Sequence, residues 1–187
     1  MRWIRGVTGL ALIAMLPGFA QAQESMRVTL GTGAGASIPM GDFGDRADLG
    51  WTAQANLGFT KSTWPVGLRF DVAYHALDGA DLGIGEQQDV TILAGLANLE
   101  LGIARNASGG GLFLAAGGGV YRFDFGDTLV GEAESTEFGI FAGLAYKLAM
   151  TNLFVSLEGK LHHVFTEGDA AQLVPIAVVV EIPIAGG

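Results

Sequence analysis

The run Val66-Gly67-Leu68-Arg69-Phe70-Asp71-Val72-Ala73-Tyr74-His75-Ala76 carries the plainest alternation in the chain. Val66, Leu68, Phe70, Val72, Tyr74 and Ala76 alternate with Gly67, Arg69, Asp71, Ala73 and His75. A period of two belongs to an extended strand, here with one greasy and one ionic face. The pattern recurs over residues 153–165, where Leu153, Val155, Leu157, Leu161 and Phe165 oppose Ser156, Glu158, Lys160 and His162. Six further segments follow it with less contrast: 27–38, 49–61, 90–103, 111–124, 136–148 and 172–183. That makes eight strands, each long enough for the roughly 9 to 11 residues that cross a bilayer as tilted β-structure.

Composition points the same way. Half of the 187 residues are hydrophobic and 16% are charged, against about 25% in an ordinary soluble domain. Mean hydropathy is +0.41. Thirty glycines without a triplet period exclude collagen, and zero cysteines exclude a disulfide scaffold, a thiolate metal site and a cysteine nucleophile. A net charge of -9 argues against nucleic-acid binding, which needs clustered Lys and Arg to neutralise phosphates. After residue 22, every apolar run is broken well before the 18 or so residues of a membrane helix. A hydrophobic exported chain without such helices has one other way to span a bilayer, a closed β-barrel.

Residues 1–22 read as a secretory signal peptide: Arg2 and Arg5, then an apolar run over 10–16, then Ala20-Gln21-Ala22 as an A-x-A cleavage site. Residues 23–187 form one barrel domain. Removing Arg2 and Arg5 from ten basic residues leaves eight against 19 acids, so the exported chain carries -11.

The connections assign the two ends. Residues 62–65 and 149–152 are tight turns and 104–110 a somewhat longer one, while 39–48, 78–89 and 125–135 are longer and polar. Long and short connections alternate as in membrane barrels. Pairing Phe59 with Leu68 and Leu57 with Phe70 sets apolar against apolar and Asn56 against Asp71, and a one-residue slip destroys this. Phe59, Trp64, Phe113 and Tyr146 fall near the short-turn ends, and Trp51, Tyr74, Phe123, Phe138 and Phe165 near the long-loop ends. They read as two aromatic girdles at two headgroup layers. A soluble sandwich would also use these rings, with the charges facing water. The charges expected inside the barrel are Arg27, Arg69, Asp71, Glu100, Arg122, Asp124, Glu137, Lys147, Glu158, Lys160 and Glu181.

The chain resembles the small eight-stranded outer-membrane β-barrels of Gram-negative bacteria, of the OmpA, OmpX and OmpW kind. The resemblance spans residues 28–184 and rests on the strand, turn and loop rhythm. It also rests on Ser37-Ile38-Pro39-Met40-Gly41-Asp42-Phe43-Gly44 and on Trp64-Pro65-Val66-Gly67-Leu68-Arg69. It implies an all-β, eight-stranded antiparallel up-and-down barrel with a lipid-facing apolar exterior and a polar, side-chain-filled lumen. It further implies outer-membrane location and contact with outer-membrane lipid; the A-x-A pattern sets the expected cleavage near Ala22, and no peptidoglycan-binding domain, as some OmpA-like proteins carry, is expected after the eighth strand. One departure is the chain's end: such barrels usually finish on an aromatic residue, and this one finishes Ile182-Pro183-Ile184-Ala185-Gly186-Gly187.

An eight-stranded barrel is just filled by its own side chains, so an open diffusion pore is not expected. The third and seventh strands are opposite, which aims Arg69 and Asp71 across the lumen at Glu158 and Lys160 as a buried ion-pair network. Such a network either gates, as in the resembled barrels, or is a static plug, and closing the lumen needs no switching. Gly31, Gly33 and Gly35 share the inward face of the first strand and make room for long side chains. Gly31-Thr32-Gly33-Ala34-Gly35 lacks the spacing of a phosphate loop.

His75 and His162 face inward near the loop end, and His163 faces out. Two hydrogen-bonded lumen histidines are expected rather than a metal or pH-sensing pair, since no third ligand has clear spacing. Some eight-stranded barrels are lipid A deacylases or acyltransferases, but here there is only His162-His163-Val164-Phe165, without the deacylase His-x-Ser-Asn. Glu158 and His162 lie about 13 Å apart along one strand, at roughly 3.3 Å per residue. No catalytic group, cofactor or metal is therefore expected.

Twelve of the 19 acids sit in or beside the long loops: Asp42, Asp45, Asp48, Asp78, Asp81, Glu86, Asp89, Asp127, Glu132, Glu134, Glu167 and Asp169. This rim either meets phosphate-rich lipid through divalent cations, or repels neighbouring cells and anionic ligands, or is ordinary loop solvation. The role expected is structural or surface-interacting, with at most a narrow or gated pore. The alternatives are a soluble periplasmic carrier of an apolar ligand, with the Leu68, Phe70 and Val72 face lining a cavity, and a lipid-modifying membrane enzyme. The enzyme needs Ser156 or another hydroxyl within reach of a histidine.

Overall fold

The computed structural model describes residues 26–61, 63–79, 89–128, 131–166 and 170–186. Eight strands follow in chain order: β1 (Met26–Met40), β2 (Gly50–Lys61), β3 (Val66–Leu77), β4 (Val90–Arg105), β5 (Gly111–Thr128), β6 (Gly131–Ala149), β7 (Phe154–Phe165) and β8 (Ala171–Ala185). Each pairs antiparallel with its neighbour, and β1 closes on β8. Closure removes sheet edges, the condition under which β-structure can enter hydrocarbon. The expected signal peptide at 1–22, the segment 80–88 and the acids Asp81, Glu86, Glu167 and Asp169 lie outside the described residues, as do the side chains of Asp127 and Glu132.

The register between β2 and β3 places Phe59 opposite Leu68, Leu57 opposite Phe70 and Asn56 opposite Asp71. With that register every odd residue of β3 points into the barrel. Phe70, Val72 and Tyr74 are exposed on the outside, while Arg69, Asp71 and His75 are buried within. Leu30, Leu93, Leu99, Leu144, Leu157 and Val178 continue the outward apolar belt around the other strands. Soluble monomers rarely expose a contiguous apolar belt of this kind. The carrier alternative fails here, because the face it needs as a cavity lining is the exterior.

Outward rings mark both rims of the belt. Trp51 packs on Tyr74 at 5.4 Å and Phe138 stacks on Phe165 at 6.3 Å near the long-loop end. Phe59 and Tyr146 face out toward the short turns, and exposed Trp64 sits in the 62–65 turn. Phe113 and Phe123 do not belong to the girdles. On β5 the odd residues point inward, so Phe123 is buried in the lumen and Phe113 lies beneath Lys147 Nζ at 5.3 Å.

The same parity corrects Arg122 and Asp124, which point outward; Arg122 Nη2 pairs with Glu134 Oε2 at 2.6 Å on the exposed surface. These residues stand above the apolar belt, where an outward charge meets water and carries no hydrocarbon penalty. The expected loop at 125–135 is also absent. β5 and β6 continue as a projecting hairpin to the pair Thr128 and Gly131, with an irregularity between Asp124 and Asp127. Beyond the membrane belt the ladder persists without an apolar face, so the alternation that marks strands disappears from the sequence.

The lumen is not uniformly polar. Its long-loop half is an apolar core of Leu77, Val90, Ile92, Phe123, Val164 and Leu173. The connection after β1 completes this core from above: a 3-10 turn, Gly41–Phe43, drops Phe43 edge-on to Phe123 at 6.3 Å. Ala47 bridges to Gly79 and is buried with it.

Candidate functional site

Below the apolar core the lumen is ionic. Arg69 on β3 holds a two-pronged bond across the barrel to Glu158 on β7, with both N···O distances 2.7 Å. The same guanidinium reaches Asp71 at 2.8 and 3.1 Å. Lys160 then ties Asp71 at 3.1 Å to Glu158 at 3.2 Å. The geometry thus brings Arg69, Asp71, Glu158 and Lys160 together, as strands three and seven of an eight-strand cycle must.

The network extends further than those four residues. Lys147 on β6 bridges Glu100 on β4 and Glu181 on β8 at 2.8 and 3.0 Å. Arg69 Nη1 lies 2.8 Å from Glu100 Oε1, an ion pair without a hydrogen bond because the fork is directed at Asp71 and Glu158. Asn98 donates to Asp71 at 2.6 Å, and Ser156 donates to Glu158 at 3.1 Å. Four carboxylates therefore face three cations in a layer drawn from β3, β4, β6, β7 and β8. Inward parity in the sequence already marked Glu100, Lys147 and Glu181 for the lumen. Only the shear of the closed barrel brings them to the height of Arg69. Arg27 and Glu137 are lumen-side but stand apart, Arg27 at the short-turn mouth over the Phe154 ring at 5.7 Å.

Between ionic and apolar layers sit the histidines. His75 and His162 meet edge-to-face, with ring centroids 6.3 Å apart. Ser37 Oγ lies 3.2 Å from His75 Nδ1, and Tyr121 OH lies 2.7 Å from His162 Nδ1. His162 also stacks on Phe141 at 5.0 Å. The two Nε2 atoms and Gln54 Nε2 have no protein hydrogen-bond partner. All three residues line a cavity of about 10 Å³, which suits a single water. Tyr121 was not singled out in the sequence, because a tyrosine beside Arg122 reads equally well as a girdle ring. Tyr121→Phe strips the Nδ1 atom of His162 of its hydroxyl. Destabilisation of about 1–3 kcal/mol is expected, read as a lowered urea midpoint of the lipid-reconstituted barrel.

A hydroxyl does stand beside a histidine, but as Ser37 with His75 and not as Ser156, whose Oγ is committed to Glu158. Among the described residues no carboxylate orients His75 from its far side, and Ser37 is fully buried. The pair lacks the third member and the access that nucleophilic catalysis requires. Among the described residues, no three histidine, aspartate or glutamate side chains are grouped to hold a metal ion.

No protein-family model and no curated protein sequence matches this chain. Solved structures do. Neisserial surface protein A matches with a TM-score of 0.57 at 14% identity, over 83% of this chain and 96% of that one. A major outer membrane protein from Thermus thermophilus gives 0.57 at 14% identity, over 85% and 99%. The N-terminal β-barrel domain of Pseudomonas aeruginosa OprF gives 0.54 at 13% identity, over 82% and 97%. In strand number, closure and pairing the chain has the fold of the small eight-stranded outer-membrane barrels.

Proposed function

We propose that this protein is a non-enzymatic outer-membrane barrel whose role is structural or surface-interacting and whose lumen is shut at rest. The observation that carries this reading is the double closure of the lumen. An ionic layer around Arg69 fills one half, and an apolar layer from Leu77 to Leu173, roofed by Phe43, fills the other. A pore needs both displaced. An ion crossing the apolar half would shed its water with nothing to replace it. The outward apolar belt and its two rims of rings support a bilayer as the surrounding medium. By the usual rule for such barrels the short turns face the periplasm and the long connections the outside.

The test is reconstitution into planar lipid bilayers beside a gel of boiled and unboiled protein. Expected are a heat-dependent shift in migration, reporting a closed barrel, and no conductance steps. Arg69→Ala should be equally silent in the bilayer, because the apolar layer remains. Regular conductance steps from the unaltered protein would overturn the closed-lumen reading. Solubility without detergent would overturn the membrane.

A further inference from the structure

At the short-turn end the barrel opens into a cavity of about 290 Å³, just below the range of small-molecule sites. Its floor is the underside of the ionic layer, where Glu100 and Glu181 are both held by Lys147. Its mouth carries Arg27, Lys61 and Arg105, and no carboxylate among the described residues pairs with any of them. The short connections themselves contain no acid: residues 61–65 read Lys-Ser-Thr-Trp-Pro, 105–110 Arg-Asn-Ala-Ser-Gly-Gly and 149–153 Ala-Met-Thr-Asn-Leu. The net charge of the chain is strongly negative, so a mouth with three cations that no described carboxylate pairs runs against its composition.

The cations are also posed. The Arg27 guanidinium rests 5.7 Å from the centre of the Phe154 ring. The Arg105 side chain folds back over Gly102, where an added Cβ would lie 2.7 Å from its Cγ. Both guanidinium groups thus line the cavity while remaining open to solvent. Trp64 and Phe113 supply further apolar wall. Guanidinium forks match the geometry of phosphate and carboxylate oxygens, and flanking rings accept an apolar body.

We infer that this vestibule binds a small organic phosphate, its anionic head between Arg27 and Arg105 and its apolar portion against Trp64, Phe113 and Phe154. The head belongs either to a soluble phosphate ester or to a phospholipid headgroup of the adjoining leaflet. The site is independent of the closed-lumen reading above, which supplies only the name of the compartment it faces.

The chain contains three tryptophans, so Trp3→Phe with Trp51→Phe leaves Trp64 as the only one. In neutral detergent, para-nitrophenyl phosphate should quench Trp64 saturably. Inorganic phosphate should reverse the quench, and added salt should weaken it. Arg27→Gln with Arg105→Gln should reduce the affinity at least about tenfold, since the charge-assisted hydrogen bonds to the phosphate are lost. The heat-dependent gel shift should be unchanged, because both side chains are exposed. A quench that rises linearly without saturation, or one that saturates identically in the double variant, overturns the site. If the variant fails to fold, the salt and inorganic phosphate titrations of the unaltered protein decide alone: saturation with competition supports the site, and indifference to both overturns it. Repeating the titration in vesicles separates the two sources. Loss of the ester's effect on adding phosphatidylglycerol to phosphatidylcholine assigns the headgroup, and an unchanged affinity assigns the soluble ester.

Discussion

Arg69→Met is expected to destabilise the barrel by about 3–5 kcal/mol, the range seen when one partner is removed from a buried charge pair. The side chain is 1% exposed and contacts Asp71, Glu158 and Glu100 within 2.8 Å. Without it, the four carboxylates of the ionic layer have only Lys147 and Lys160 there, and Glu158 keeps a single ion-pair partner, Lys160 at 3.2 Å. Removing Glu158 as well should return most of the loss. In Arg69→Met with Glu158→Met, Asp71 retains Lys160 and Asn98, while Glu100 and Glu181 retain Lys147. Replacing a buried ion pair by apolar groups of similar size is often close to neutral. Arg69→Lys should fall between, because an ammonium keeps the charge and cannot hold Glu158 with two parallel bonds while also spanning Asp71. Urea titration of the reconstituted barrel, scored by the fraction that resists unfolding on an unboiled gel, ranks the three variants. With Glu158→Met measured alone to complete the cycle, a double replacement that costs the sum of the two single changes would show that the pair is not coupled.

Why the ionic layer could be anticipated and the apolar layer could not follows from what a period of two reports. In β3 and β7 the outward residues meet lipid and the inward ones meet charges, so contrast is maximal and Arg69, Asp71, Glu158 and Lys160 stand out. In β5, Tyr121 and Phe123 face inward while Arg122 and Asp124 face water above the belt. Contrast there is inverted, and parity assigned from polarity alone places all four on the wrong side. Phe43 gives no periodic signal, since its burial depends on a 3-10 turn folding back over the mouth. The histidines were legible as inward residues, whereas their partners Ser37 and Tyr121 come from strands 38 and 41 residues distant. The short-turn vestibule was invisible for a related reason: the β1–β2 register sets Lys61 beside Arg27, but Arg105 on β4 joins them only when the sheet closes into a barrel.

That closure depends on glycine in a way that differs along β1. Gly31 leaves room for side chains, since a Cβ there would lie 2.5 Å from Asn56 Oδ1 and 2.8 Å from Glu181 Cγ. At Gly33 a Cβ would meet both the Val179 side chain and the Val178 carbonyl at 2.7 Å, whereas Gly35 faces backbone alone. At Gly35 an added Cβ would run into the Ile176 carbonyl and lie 2.6 Å from Ala177 Cα. The ladder pairs Gly35 with Ala177. Backbone cannot rotate aside as a flexible side chain does, so relief requires β1 to move away from β8 at the seam that shuts the barrel. Gly35→Val should therefore lose the heat-resistant folded band. Overpacking alone costs about 1–3 kcal/mol, and each ladder hydrogen bond that opens adds about 1 kcal/mol. Gly159→Val is the matched control, because nothing lies within 4 Å of its added Cβ and the residue faces outward on β7. It should fold as the unaltered protein does. Folding of both variants to the same extent would show that the seam tolerates a side chain. Failure of Gly35→Val alone would trace barrel closure to the absence of a single carbon.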